Sequence, residues 1–151
     1  KMMEAWAGYL AEKLPNIVGI KNSMPDILRA QQYLDCREGF SVMLGSDLLI
    51  AMGVLIGCDG GVSANAQVAP ELFVKLYNAA EAGDRESALA LQKQANRMIE
   101  LLENGENLSL FKYALAYRGI PVGDVRETLE KVCKDKAATV MAKIDELGIY
   151  Y

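Results

Sequence analysis

A lysine at the end of a short apolar run is the residue of this chain best suited to covalent chemistry. Ile17-Val18-Gly19-Ile20-Lys21 reads as a strand buried on both faces, with Lys21 at its C-terminal end. In a barrel of parallel strands that end opens into the active-site mouth. Burial strips water from an ammonium group and lowers its pKa. The neutral amine can then attack a carbonyl and form a Schiff base, and the protonated imine is an electron sink for making or breaking a carbon–carbon bond. A lysine that merely extends from a strand end into solvent fits the same spacing.

Two glycine-containing turns accompany it. Gly45-Ser46-Asp47 follows the apolar run Phe40–Leu44, and Asp59-Gly60-Gly61-Val62-Ser63 closes a third short run. A glycine at a strand end lets the backbone approach a ligand closely. Gly45, Ser46, Asp47, Val62 and Ser63 are therefore candidate substrate-binding residues. An ordinary strand-to-helix turn, with Asp47 as helix cap, and tight packing at Gly60-Gly61 are the plainer alternatives.

Composition removes other chemistries. The 151 residues contain no histidine, so Ser-His and Cys-His catalysis and histidine zinc sites are excluded. Sixteen Lys and Arg face twenty Asp and Glu, a net charge of −4 without a basic stripe, which argues against a nucleic-acid partner. The longest apolar run, Leu48–Gly57, falls short of the ~20 residues of a membrane span. Cys36, Cys58 and Cys133 are odd in number and lack a CxxC, as expected of unpaired thiols in a reducing cytoplasm. Acidic pairs such as Asp35 with Glu38 read as solvated helix faces.

These residues need elements to position them. Residues 3–14 read as a helix with Met3, Trp6, Leu10 and Leu14 on one face. The strands 17–21, 40–44 and one within 57–63 alternate with helices near 25–36, 48–56 and 70–82. Three further helices are predicted over 84–103, 107–118 and 125–147, with an apolar stripe of Leu89, Ala95, Ile99 and Leu102. No strand is expected after Val68. Strand and helix in alternation predict a parallel α/β sheet over residues 1–83, followed by a helical extension over 84–151. Three strands are too few for a complete barrel of ~250 residues, and Lys1 opens inside a helical pattern, so a piece of a longer chain is expected.

Taken in series, these segments resemble the dihydrodipicolinate synthase / N-acetylneuraminate lyase family of class I aldolases. The resemblance is carried by Pro15-Asn16-Ile17-Val18-Gly19-Ile20-Lys21 with Asn22-Ser23, by Gly45-Ser46-Asp47 and by Gly57-Cys58-Asp59-Gly60-Gly61-Val62-Ser63. It continues through Val68-Ala69-Pro70-Glu71-Leu72-Phe73, Lys112-Tyr113-Ala114-Leu115 and Val125-Arg126-Glu127-Thr128-Leu129.

The resemblance implies the C-terminal part of a (β/α)8 TIM barrel, strands six to eight, with Lys21 as the Schiff-base lysine for pyruvate or another 2-keto acid and an aldehyde as second substrate. It further implies a cytoplasmic homotetramer with no metal or dissociable cofactor. The family's activating tyrosine and its carboxylate-binding segment lie upstream of the matching region, so the isolated chain is expected to be weakly active or inactive. Sialate lyases carry an acidic residue where this chain has Leu48, which cannot hydrogen-bond a sugar hydroxyl. A sialate lyase is therefore disfavoured, and the resemblance implies a synthase as the commonest member of the family. The alternatives are a 2-keto-3-deoxy sugar-acid aldolase, suggested by Gly61, Asn65 and Gln67, and a non-catalytic half-barrel assembly module.

Overall fold

The computed structural model describes residues 2–150, with side chains from Trp6 onward, so Met3's place on a helix face lies outside the described side chains. The elements run α1 (Met2–Lys13), β1 (Gly19–Asn22), α2 (Ile27–Leu34), β2 (Ser41–Leu44), α3 (Ile50–Leu55), β3 (Gly60–Gly61), α4 (Pro70–Glu81), α5 (Arg85–Leu101), α6 (Leu108–Tyr117) and α7 (Lys134–Glu146). The chain forms two compact units, Lys1–Ser63 with Leu76–Gln92, and Ala64–Lys75 with Lys93–Tyr151.

The first unit holds a parallel sheet in the order β1-β2-β3, as the alternation of strand and helix requires. Lys21 lies beside Met43, and Met43 beside Gly60. Side chains alternate along a strand, so Val42 and Leu44 share one face and Lys21 and Met43 the other. Val42 and Leu44 are fully buried. Gly53 of α3 lets Leu44 pack so closely that a Cβ there would overlap the leucine side chain. The other face is open among the described residues. Strand β1 is consequently not buried on both faces as expected: Ile20 is half-buried and Lys21 exposed. The strand also runs one residue past Lys21, to Asn22.

Local chemistry starts and joins these elements. The Asp26 side chain accepts from the Arg29 N–H at 3.0 Å and caps α2. Helix α1 buries Ala7 and Ala11, while Trp6 and Leu14 are exposed, the reverse of the face expected from residue size. Small residues allow close approach here; a Cβ on Gly8 would stand 3.9 Å from the Cys36 Sγ. Arg37 donates to the Ala11 carbonyl at 2.5 Å and to the Ile17 carbonyl at 2.9 Å, with its guanidinium over the Phe40 ring. One side chain thus fixes the end of α1 and the approach to β1. Asp47 opens a 3-10 turn, Asp47–Leu49, instead of capping the next helix. Neither Ser46 before that turn nor Leu49 before α3 makes a side-chain cap.

The second unit is helical. Asn107 caps α6 by accepting from the Ser109 and Leu110 N–H groups. The helix expected over 125–147 begins only at Lys134. Residues 125–133 run without helix because tertiary contacts take them: Val125 is buried, and the Val132 N–H donates to the Ser109 Oγ at 3.0 Å. Arg118 grips both Glu71 carboxylate oxygens and the Val68 carbonyl, and stacks on the Tyr150 ring at 4.6 Å. The buried residues of α5 are Ala88, Gln92, Ala95, Met98 and Ile99, with Leu102 buried just past its end and Leu89 exposed. Among the described residues no strand follows Gly61, and no helix is long and apolar enough to cross a membrane.

Arg37→Met removes two charge-assisted hydrogen bonds and should destabilise the first unit by about 1.5–3 kcal/mol in urea unfolding; a loss below about 0.5 kcal/mol would contradict its role as a tie. The hydrogen bond from Arg118 holds the Glu71 carboxyl below its ordinary value of 4.5. Such a lowered group stabilises the fold above its unfolded pKa, and this is lost as pH falls through the folded value. The stability gap between wild type and Glu71→Gln should therefore be widest above pH 4.5 and close below it; a gap independent of pH would refute the pairing.

Candidate active site at the strand ends

The register aligns Asn22, Leu44 and Gly61 in one row across the sheet. The following residues continue the pairing. The Gly45 N–H donates to the Asn22 carbonyl and the Val62 N–H to the Leu44 carbonyl, each at 2.7 Å. Lys21, Gly45-Ser46 and Val62-Ser63 are thereby brought to the C-terminal edge of a single parallel sheet.

Lys21 runs over Gly45. A Cβ built on Gly45 would stand 2.7 Å from the Lys21 Cε, 2.7 Å from the Ser23 Oγ and 3.0 Å from the Ser23 Cα. Any side chain at 45 would collide with the lysine stem and with backbone. The space beside Gly45 is taken by the Lys21 stem and by Ser23. Ser23 faces the same gap from the turn after β1.

That turn is held by Asn22, which is buried. Its Oδ1 accepts from the Met24 N–H at 3.2 Å and its Nδ2 donates to the Asp26 carbonyl at 3.3 Å. Across the sheet, Asp59 serves the backbone: its Oδ2 accepts from the Val42 N–H at 2.8 Å, and its own N–H donates to the Val42 carbonyl at 3.0 Å. Ser46 and Ser63 are half-buried and Val62 is exposed. Asp47 is 9% exposed and lies beneath the turn. Its carbonyl accepts from the Gln92 Nε2 at 2.9 Å, while the Gln92 Oε1 accepts from the Ala51 N–H at 2.9 Å. Sequence reasoning passed over Gln92 as a member of an apolar stripe; the available signal was an amide at a core position of that stripe.

The cysteines offer no competing nucleophile at this edge. Burial, and then the charge of Asp59, pushes the Cys58 thiol up; burial, and then Asp35, does the same for Cys36. Among the described residues no three His, Cys, Asp or Glu side chains converge for a metal ion.

Comparison with known proteins places this arrangement. The model of the Dihydrodipicolinate synthetase family matches residues 2–147. This chain belongs to the dihydrodipicolinate synthetase family. An uncharacterized DapA-like lyase of Halobacterium salinarum is 38% identical over 140 residues, covering 93% of this chain and 46% of the relative. The 4-hydroxy-tetrahydrodipicolinate synthase of Phenylobacterium zucineum is 35% identical over 139 residues, covering 91% of this chain and 47% of the relative. The chain thus spans about half the length of these relatives. The N-acetylneuraminate lyase of Aliivibrio salmonicida shares the fold at TM-score 0.86 and 22% identity, over 99% of this chain and 50% of that one. YagE, a prophage protein of the family from E. coli K12 solved in complex with pyruvate, superposes at TM-score 0.83 and 23% identity, over 97% of this chain and 51% of that one. In the dihydrodipicolinate synthetase family, the three parallel strands of this chain form the C-terminal part of a (β/α)8 barrel.

The overlap at Gly45 makes a testable geometry. Gly45→Ala should cost about 1–3 kcal/mol of stability. In a Lys21→Ala background the cost should shrink by at least about 0.5 kcal/mol, since the clash with Cε is gone. Additive effects in this double-mutant cycle would show that Lys21 does not cross Gly45.

Proposed function

We propose that this chain supplies the nucleophilic lysine of a class I, Schiff-base-forming lyase that joins or cleaves a 2-keto acid and an aldehyde, most like 4-hydroxy-tetrahydrodipicolinate synthase. The observation that carries this reading is the passage of Lys21 across the space left by Gly45, at the C-terminal edge of a parallel sheet. Family membership supports it, as does the pyruvate held by the YagE relative.

The neutral Nζ of Lys21 attacks the ketone carbon of the 2-keto acid. The Nζ–carbon bond forms, the ketone oxygen takes up two protons and leaves as water, and a protonated imine remains. Loss of a proton from the adjacent methyl carbon sends its electron pair toward the imine nitrogen and gives an enamine; when that carbon attacks the aldehyde, the nitrogen lone pair re-forms the protonated imine and the aldehyde oxygen takes up a proton. Hydrolysis of the final imine returns the lysine. Gly45 gives the lysine room, the Ser46 and Ser63 hydroxyls and the backbone at Val62 bind substrate, and Asp47 supports the turn from below. Lys21 is exposed among the described residues, so the desolvation that frees its amine comes from the rest of the barrel. The whole protein, on this reading, is a cytoplasmic homotetramer that needs no metal or dissociable cofactor.

Leu48 is 46% exposed and directly follows Asp47. Its inability to meet a sugar hydroxyl favours a synthase over a sialate lyase. A 2-keto-3-deoxy sugar-acid aldolase is the second reading, and a panel of acceptor aldehydes separates the two.

Pyruvate followed by borohydride should leave a reduced adduct on Lys21, read by intact mass and peptide map. The adduct should be weak with the chain alone and strong once the N-terminal half of a family barrel is co-expressed. No adduct in either preparation, or one that survives Lys21→Ala, would overturn the assignment and leave a non-catalytic half-barrel module.

A further inference from the structure

We infer that Gln92 is a positioning residue for the Lys21 chemistry, acting as a remote cap on the turn that carries Gly45 and Ser46. The inference rests on the reading of Lys21 as nucleophile.

The start of a helix leaves backbone groups without partners inside the helix. They are usually met by the side chain just before it. After β2 that device is missing twice, since Ser46 does not cap the 3-10 turn and Leu49 does not cap α3. Gln92 meets the need from α5. Its Oε1 takes the Ala51 N–H, and its Nε2 gives to the Asp47 carbonyl, both at 2.9 Å and both buried. The donors and acceptors lie 41 and 45 residues apart in sequence, so this contact ties the turn to a distant element.

On its strand side the turn is tethered by the Gly45 N–H to the Asn22 carbonyl. Between the two tethers sit Gly45 and Ser46. The clearance over Gly45 is too small for a methyl group to enter without overlapping the Lys21 Cε. A shift of the turn by a fraction of an ångström therefore moves a wall against the lysine stem. Gln92 sets that wall without touching substrate.

The test uses the barrel completed with a family N-terminal half, and pyruvate with borohydride as the probe. Gln92→Met keeps the side-chain length and removes both hydrogen bonds. It should slow imine trapping at Lys21 by about tenfold or more, given the sensitivity of such reactions to misplacement. It should also speed hydrogen exchange of the Ala51 amide. Gln92→Glu keeps the acceptor for Ala51 but sets a carboxylate oxygen against the Asp47 carbonyl, and should slow trapping at least as much as Gln92→Met. Gln94→Met is the control: Gln94 donates to the Leu147 carbonyl from the same helix, so its loss perturbs α5 away from the turn. It should leave the trapping rate at the wild-type value.

Three results would overturn the inference: an unchanged trapping rate in Gln92→Met, unchanged Ala51 exchange in that variant, or an equal loss of rate in Gln94→Met. Wild type that traps no pyruvate would instead remove the Lys21 reading, and this inference with it, while normal trapping in both wild type and Gln92→Met removes the inference alone.

Discussion

The missing side chain at Gly45 is the space on which this site depends. Lys21 lies across the end of the sheet where position 45 has no Cβ; a Cβ there would stand 2.7 Å from the lysine Cε. The surrounding interactions hold backbone on either side of that space. Asn22 fixes the turn after β1, the Asn22 carbonyl holds the Gly45 N–H, and Gln92 holds the far side of the next turn. Asp59 ties β3 to β2 and so keeps Val62 and Ser63 on the same edge. None of these residues need react; they hold the backbone around Gly45 and along the strand ends.

The sheet itself sets a second constraint. A parallel sheet is stable when both faces are covered. Here Val42 and Leu44 bury one face under the helices, with Gly53 admitting Leu44 closely. The Lys21 and Met43 face is open among the described residues, and it is the face that a barrel would enclose. The exposure of Lys21 and the coverage of about half of each relative describe one situation. Completing the barrel would cover this face.

The features legible in the sequence were local ones. Short apolar runs over 17–21, 40–44 and within 57–63 marked the three strands, and their alternation with helices gave the parallel order. The one cap read from sequence, Asp47, opens a 3-10 turn instead, while Asp26 and Asn107 cap α2 and α6. What escaped the sequence depends on partners far along the chain. Gln92 looks like one polar residue in an apolar stripe until Asp47 and Ala51 are placed beside it. Residues 125–133 continue a helical pattern, but Ser109 captures Val132 and Val125 is drawn into the core. Helix α1 misled through size: Ala7 and Ala11 face inward where Trp6 and Leu14 were expected, because close packing selects small residues. Lys21 was read from its place in a strand, while the burial meant to activate it is not supplied by the residues described.

A crystal structure of the completed barrel soaked with pyruvate tests the central claim most directly. The account predicts density continuous from the Nζ of Lys21 to the second carbon of pyruvate, with the lysine stem lying over Gly45. Pyruvate bound elsewhere, or a lysine stem turned away from Gly45 with no covalent link, would contradict it.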